Sequence, residues 1–279
     1  MPTRGPLPEG FIDLGMRISL SRVANFLLGP MGWSLARLSP TSGPTFYQPS
    51  PSCQIAELAM LYQIFLGERS DGFFVEIGAY DGISYSNTSC LAERGWHGLL
   101  VEPIPQFAEA CRSRYRANDR IEVVESAVGD KEDEIEITVA GSLTTTNGAL
   151  LAAYRDIEWS KQSVENTSTI RVQQTTLDAL LERRADARSI DVLVIDVEGA
   201  EAAVLRGFSL ARWKPRMIII ELVHTHPDLH SVSAGDAELQ RRIEQGGYSV
   251  VYKDAINTVL VADEVVFSPS VPGPRSLRG

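Results

Sequence analysis

The sequence is poor in cysteine. Its three, Cys53, Cys90 and Cys111, are an odd count, show no CxxC spacing and lie far from any histidine pair. That pattern excludes a disulfide framework and a zinc site and points to a reducing, cytoplasmic setting. Basic charge is also scarce: 26 Lys and Arg stand against 36 Asp and Glu, a net charge of −10. This balance argues against a large nucleic-acid footprint while leaving room for a local basic patch, and a small-molecule or glycan partner fits better. No internal repeat is present, and no apolar run reaches the roughly 20 residues that span a bilayer. The nearest, residues 11–38, is broken by Arg17, Arg22, Arg37 and Gly29-Pro30. Asp13 precedes its most apolar part and no small-residue cleavage site follows, which argues against a signal peptide. The segment reads as one or two amphipathic helices packed on the core or on a second subunit of a homo-oligomer. The other reading is a membrane-surface anchor with its arginines toward anionic lipid.

What is present is a core and a rhythm. Hydrophobic residues make up 44% of the 279, enough for one large core or two small ones. Residues 1–50 are expected to be a helical extension and linker, with the Pro, Ser, Thr and Gly of 39–52 as the connecting stretch. Residues 51–270 hold the main domain and 271–279 a flexible tail. Ile55, Leu58, Ala59, Tyr62 and Phe65 recur at helical spacing over 54–66. FFVEIGAYDG, residues 73–82, reads as a buried strand to residue 77, interrupted only by Glu76, entering a tight loop bracketed by Gly78 and Gly82. Ser86-Asn87-Thr88 can cap a helix through Glu93, which Gly95 ends. Residues 97–101, 105–115 and 121–125 then read as strand, helix and strand. This alternation predicts the right-handed parallel crossovers of an α/β fold. A short accessory strand is expected at 135–139, an insertion or lid at 140–169, and an edge strand at 170–174 before a helix at 177–182. Apolar strands at 190–195 and 217–220 enclose a helix at 200–205. A helix at 237–245 and strands at 248–252, 257–261 and 265–267 close the sheet with antiparallel pairing.

Acidic residues gather at the strand ends: Glu76 and Asp81 at the first, Glu102 at the second, Asp196 and Glu198 at the fourth, Glu221 at the fifth. A single one would be an ordinary solvated side chain. Repetition over four strands, all aimed at one edge of a parallel sheet, marks a ligand site beyond the carboxyl ends. Glu102 can accept two hydrogen bonds from vicinal ribose hydroxyls, so the ligand contains a nucleoside. The first loop has Glu76 where GxGxxG needs its first glycine, and an acidic loop repels phosphates while favouring a cation. S-adenosylmethionine, with a sulfonium, an ammonium, a ribose and no phosphate, meets those terms.

FFVEIGAYDGISYSNTSCLAERGWHGLLVEP followed by IDVLVIDVEGAEAAVLRGF, with TTLDALL ahead of the fourth strand, resembles the FkbM family of S-adenosylmethionine-dependent methyltransferases over residues 73–222. The resemblance implies a class I, Rossmann-like fold: a mostly parallel seven-stranded sheet with helices on both faces. It implies O-methylation of a hydroxyl on a sugar or other hydroxylated small molecule or glycoconjugate. It also implies that Glu76, Gly78, Ala79, Tyr80 and Asp81 hold the methionyl portion, with Asn87 and Thr88 close by. Glu102 would take the ribose, Pro103 and Ile104 would flank the adenine, and Ser126, Ala127 and Val128 would lie along its edge. Asp196 would sit beside the methionyl amine or the reacting centre.

Methyl transfer to an alcohol is an in-line displacement that needs the acceptor aligned and its proton removed. Asp196, Glu198, Glu221, His224 and His226 are the available groups. Asp196 and Glu221 are expected to flank the acceptor from adjacent strands, with His224 or a carboxylate as base. His224 could instead bond a loop carbonyl, and Glu198 and Glu201 could meet the start of the following helix, where negative charge is favoured. Asp196, Glu198 and Glu221 are also candidate ligands for Mg²⁺, which prefers hard carboxylate oxygens. On the residues alone, an NAD-dependent oxidoreductase and a non-catalytic nucleoside-binding module stay open as alternatives. The acceptor pocket is placed in 140–169 and 224–234, which carry no motif that names an acceptor.

Overall fold

The structure, a computed structural model, describes residues 46–184, 189–222, 229 and 236–266. Contacts divide the chain into Met1–Pro44 and Thr45–Gly279. The expectations for residues 11–38, His224 and His226 lie outside the described residues.

In chain order the elements are α1 (Leu58–Phe65), β1 (Phe73–Ile77), α2 (Ser89–Glu93), β2 (His97–Val101), α3 (Pro105–Tyr115) and β3 (Ile121–Val124). Next come β4 (Ala127–Val128), β5 (Asp133–Val139), α4 (Gly148–Asp156), α5 (Lys161–Glu165), β6 (Ser168–Thr175) and α6 (Leu177–Glu182). The chain continues with β7 (Val192–Ile195), α7 (Glu201–Arg206), α8 (Leu210–Trp213), β8 (Met217–Glu221), α9 (Asp236–Gln245), β9 (Tyr248–Lys253), β10 (Asn257–Ala262) and α10 (Asp263–Val266).

Seven strands form one sheet in the order β3-β2-β1-β7-β8-β10-β9. The first five pair in parallel, and β10 runs antiparallel to both β8 and β9. Helical connections return the chain to the same end of the sheet, which parallel pairing requires. The β9–β10 turn is tight instead, with Asp254 Oδ1 accepting the N–H groups of Ile256 and Asn257 at 2.8 and 2.6 Å. Every residue of β1, β7 and β10 is buried. Because alternate residues of a strand face opposite ways, the sheet is covered on both faces. The chain leaves β1 toward β2 and β3, then returns to the other side of β1 for β7 and β8. A crevice opens at the carboxyl ends where that direction reverses.

Four departures from the sequence reading have physical causes. Residues 170–174 are not an edge strand; they lie in β6, the middle of a second sheet ordered β4-β6-β5. Alternating polarity reports which face of a strand is buried and says nothing about which edges are paired. Residues 265 and 266 are not a strand, and 267 lies outside the described residues: Asp263 and Glu264 open helix α10 through Val266, where acidic side chains suit a helix start. The insertion at 140–169 contains two helices, the first capped by Asn147 Oδ1, which accepts from Ala149 and Leu150 N–H, both at 3.1 Å. Tyr47, inside the expected linker, is fully buried against Tyr62 and Trp96, its hydroxyl donating to the Gly67 carbonyl at 2.7 Å. Among the described residues no helix is long and apolar enough to cross a membrane.

Candidate active site

The site is built on the turn after β1. Gly78 takes φ +85°, and a Cβ there would lie 1.8 Å from the Asp196 carbonyl oxygen. Only glycine lets the first loop pass so close to the end of β7. Tyr80 and Tyr85 also adopt positive φ, +49° and +61°, a conformation costly for a bulky residue. Tyr80 is held there by its ring against Phe107, by its N–H donated to Glu102 Oε2 at 2.9 Å, and by the Cys111 thiol donated to its carbonyl at 3.1 Å. The Tyr85 N–H donates to Ser52 Oγ at 3.1 Å.

Above this turn lies a cavity of about 280 Å³. Its walls carry the apolar side chains of Phe107, Ala127, Val128, Ile135 and Ile137 together with the carboxylates of Glu76, Glu102, Asp196 and Glu198. Glu76 is buried and accepts from Ser86 Oγ at 3.2 Å, Asn87 N–H at 3.3 Å and Thr88 Oγ1 at 2.7 Å. Burial pushes its carboxyl up to about 7 despite those donors, and the negative Asp196 adds to the rise. Glu102 spends one oxygen on Tyr80 N–H and the other on Ile104 N–H, each at 2.9 Å. Each oxygen keeps a second acceptor site, and burial again pushes the group up to about 7.

The second carboxylate group sits where β7 and β8 run out. Those strands pair with Ile195 opposite Ile220, which brings Asp196 beside Glu221. Oxygens of Asp196, Glu198 and Glu221 lie within 4.8 Å of one another. Burial and the charges of Asp196 and Glu198 drive the Glu221 carboxyl well above the usual carboxylate range. Glu198 is buried with φ +50°. It too is raised, by burial first and by Asp196 second, and its carboxylate accepts the Tyr154 hydroxyl at 2.5 Å. Glu201 meets the turn ahead of its own helix as expected, accepting Val197 and Gly199 N–H at 3.2 and 3.1 Å. Glu198 does not; it turns toward the insertion.

Of the residues singled out in the sequence, the cavity brings together Glu76, Gly78, Ala79, Tyr80, Asn87, Glu102, Pro103, Ser126, Ala127, Val128, Asp196 and Glu198. Asp81 is absent from its walls. That carboxylate faces its own loop, accepting Ile83 N–H, Ser84 N–H and Ser84 Oγ at 2.9, 2.7 and 2.7 Å. Thr88 acts through Glu76, Ile104 contributes its N–H to Glu102, and Glu221 stands beside Asp196 without lining the cavity. Sequence reading missed Phe107, Ile135 and Ile137, and it singled out the 140–169 segment without assigning a role to its Ser142, Thr144, Thr146 or Tyr154. Phe107 and Ile137 look like ordinary core positions in a helix and a strand, and no local pattern ties Tyr154 to a carboxylate 44 residues away.

Strand order, the single reversed strand and a crevice carrying Gly78 and Glu102 at its strand ends define a class I, Rossmann-like methyltransferase. The chain belongs to the methyltransferase FkbM domain family, whose model matches residues 76–250, and it carries an S-adenosylmethionine-dependent methyltransferase domain. Among solved structures it is similar to the FkbM methyltransferase from Methylobacillus flagellatus KT, at 16% identity and a TM-score of 0.41, over 68% of this chain and 43% of that one. It is also similar to precorrin-6y C5,15-methyltransferase from Geobacter metallireducens GS-15, at 11% identity and a TM-score of 0.39, over 77% and 93%. The fibrillarin pre-rRNA processing protein of Methanococcus jannaschii gives 13% identity and a TM-score of 0.39, over 81% and 87%. The chain thus spans less than half the length of the first of these. No curated protein matches it.

Proposed function

We propose that this chain methylates a hydroxyl of a sugar or other hydroxylated small molecule or glycoconjugate, with S-adenosylmethionine as donor. The observation that carries the reading is the pairing in one cavity of Glu102, free to accept on both oxygens, with the carboxylates of Asp196 and Glu198. The donor group, when bound, supplies an electrophilic methyl on a positively charged sulfur. The chain's own residues do the rest. Glu102 binds the ribose, the bare Gly78 lets backbone approach the methionyl part, and Phe107 with Ile137 covers the base. Glu76 and Asp196 offset the donor's positive charge. Asp196 or Glu198 accepts the proton that the acceptor oxygen releases as its bond to carbon forms; His224 is the other candidate base. Residues 140–146, which put Ser142 and Thr146 in the cavity wall, would meet the acceptor.

A divalent cation is a second element of the reading, favoured by the three carboxylate oxygens within 4.8 Å. Asp196, Glu198 and Glu221 offer the hard donors that Mg²⁺ takes. Chelation by EDTA should then lower turnover and added Mg²⁺ restore it; unchanged turnover removes the metal. Mass spectrometry of the protein with S-adenosylmethionine and cell extract should show one metabolite gaining a methylene. Calorimetry detecting uptake of neither S-adenosylmethionine nor S-adenosylhomocysteine would end the proposal, and an undiminished His224→Ala variant would remove His224 as base.

A further inference from the structure

The insertion is fastened to the turn after β7 at successive points, two on Glu198 and one on the adjoining Gly199. Tyr154, on α4, is 1% exposed and donates its hydroxyl to Glu198 Oε2. Thr145 donates its hydroxyl to the Glu198 carbonyl at 2.6 Å. Gly199, at φ +92°, lies so close to the insertion that a Cβ would sit 3.0 Å from Asn147 Nδ2 and 3.1 Å from Leu150. The insertion brings its own apolar cluster to this contact, with Leu143, Leu150, Leu151 and Val164 around Tyr154.

A phenol buried among apolar side chains needs a partner for its hydroxyl, and a wholly structural anchor could use any carbonyl nearby. Here the partner is a carboxylate that lines the cavity, on a residue whose own backbone is held in the left-handed region. We propose that Tyr154 is a positioning residue for methyl transfer: it fixes the Glu198 carboxylate in the cavity and makes acceptor alignment depend on how the 140–157 segment is seated. The inference rests on the reading of the cavity as a methyl-transfer site. It goes beyond that reading by giving the insertion a catalytic consequence through one hydrogen bond.

The test uses the full chain, S-adenosylmethionine and a mixed panel of neutral methyl hexosides and deoxyhexosides, with Tyr154→Phe, Glu198→Gln and the double variant. Tyr154→Phe keeps the ring and its packing, so melting temperature and S-adenosylmethionine affinity should stay near the wild type. The kcat should fall about tenfold, the size of effect expected from losing one hydrogen bond to a charged group. In the Glu198→Gln background the same substitution should change kcat less than about twofold, because Tyr154 acts only through that carboxylate. Tyr154→Phe with wild-type kcat overturns the inference, as do effects of the two substitutions that simply multiply. Wild-type protein that binds S-adenosylmethionine yet methylates no panel member sinks the sugar-hydroxyl reading first, and the inference falls with it.

Discussion

At Gly78 the positive φ and the 1.8 Å approach of a hypothetical Cβ to the Asp196 carbonyl leave no relaxation short of parting β1 from the end of β7. Gly78→Ala should therefore cost on the order of 3 kcal/mol of stability and abolish transfer, readable as a lower melting temperature together with lost S-adenosylmethionine binding. Glu102→Gln is gentler and more specific. The amide keeps the shape but replaces one carboxylate oxygen with a donor, which then faces either Tyr80 N–H or Ile104 N–H. Loss of the charge-assisted ribose contact should weaken S-adenosylmethionine about 10- to 100-fold while the fold persists. Calorimetry checks this, and unchanged affinity would remove Glu102 from the ribose.

Helix α4 depends on the side-chain cap of Asn147, which accepts from Ala149 and Leu150 N–H. Asn147→Ala should cost about 1 kcal/mol, felt as faster hydrogen exchange over residues 148–157 with the seven-stranded sheet unaffected. Exchange that rises equally in β1 and β7 would mean the insertion is not a separable element. The buried strands were legible because apolar runs such as FFVEI and VLVI need both faces covered, and β1, β7 and β10 have them covered. Strand-end carboxylates were legible for the same reason, since a parallel sheet delivers every such residue to one edge. The insertion was not. Its apolar residues pack on one another and on Leu229 rather than on the main core, so they are few, and their period is drowned by Gly, Ser and Thr. Tyr154 meeting Glu198 is a tertiary event that neither local spacing nor capping chemistry encodes. The mispaired expectation for 170–174 has the same root, because register between strands is set by the partner.

At the scale of the whole molecule, burying so many carboxylates in a chain of net charge −10 makes stability depend on pH in an unusual direction. Glu76, Glu102 and Glu201 are each pushed from an ordinary 4.5 up to about 7, chiefly by burial. Glu198 and Glu221 are raised as well, by burial first and by the charge of Asp196 second. A carboxyl with a raised value in the fold holds a proton that the unfolded chain has already released. Its stabilising contribution is complete below 4.5 and is lost as pH climbs through 7. Without ligand, the melting temperature should thus fall by roughly 5–10 °C between pH 5 and pH 8 at fixed ionic strength. General repulsion in an acidic protein has the same sign, so the slope alone does not identify the groups. Two further measurements do. S-adenosylmethionine brings positive charge to the ionised forms, so its stabilisation should be larger at pH 8 than at pH 6, with protons released on binding. Glu102→Gln should flatten the unliganded curve, because the amide has no proton to lose. A melting temperature that is flat or rises over this window, or a Glu102→Gln curve parallel to the wild type, would mean that these carboxyls are ionised in the fold and that the cavity carries its negative charge without the donor.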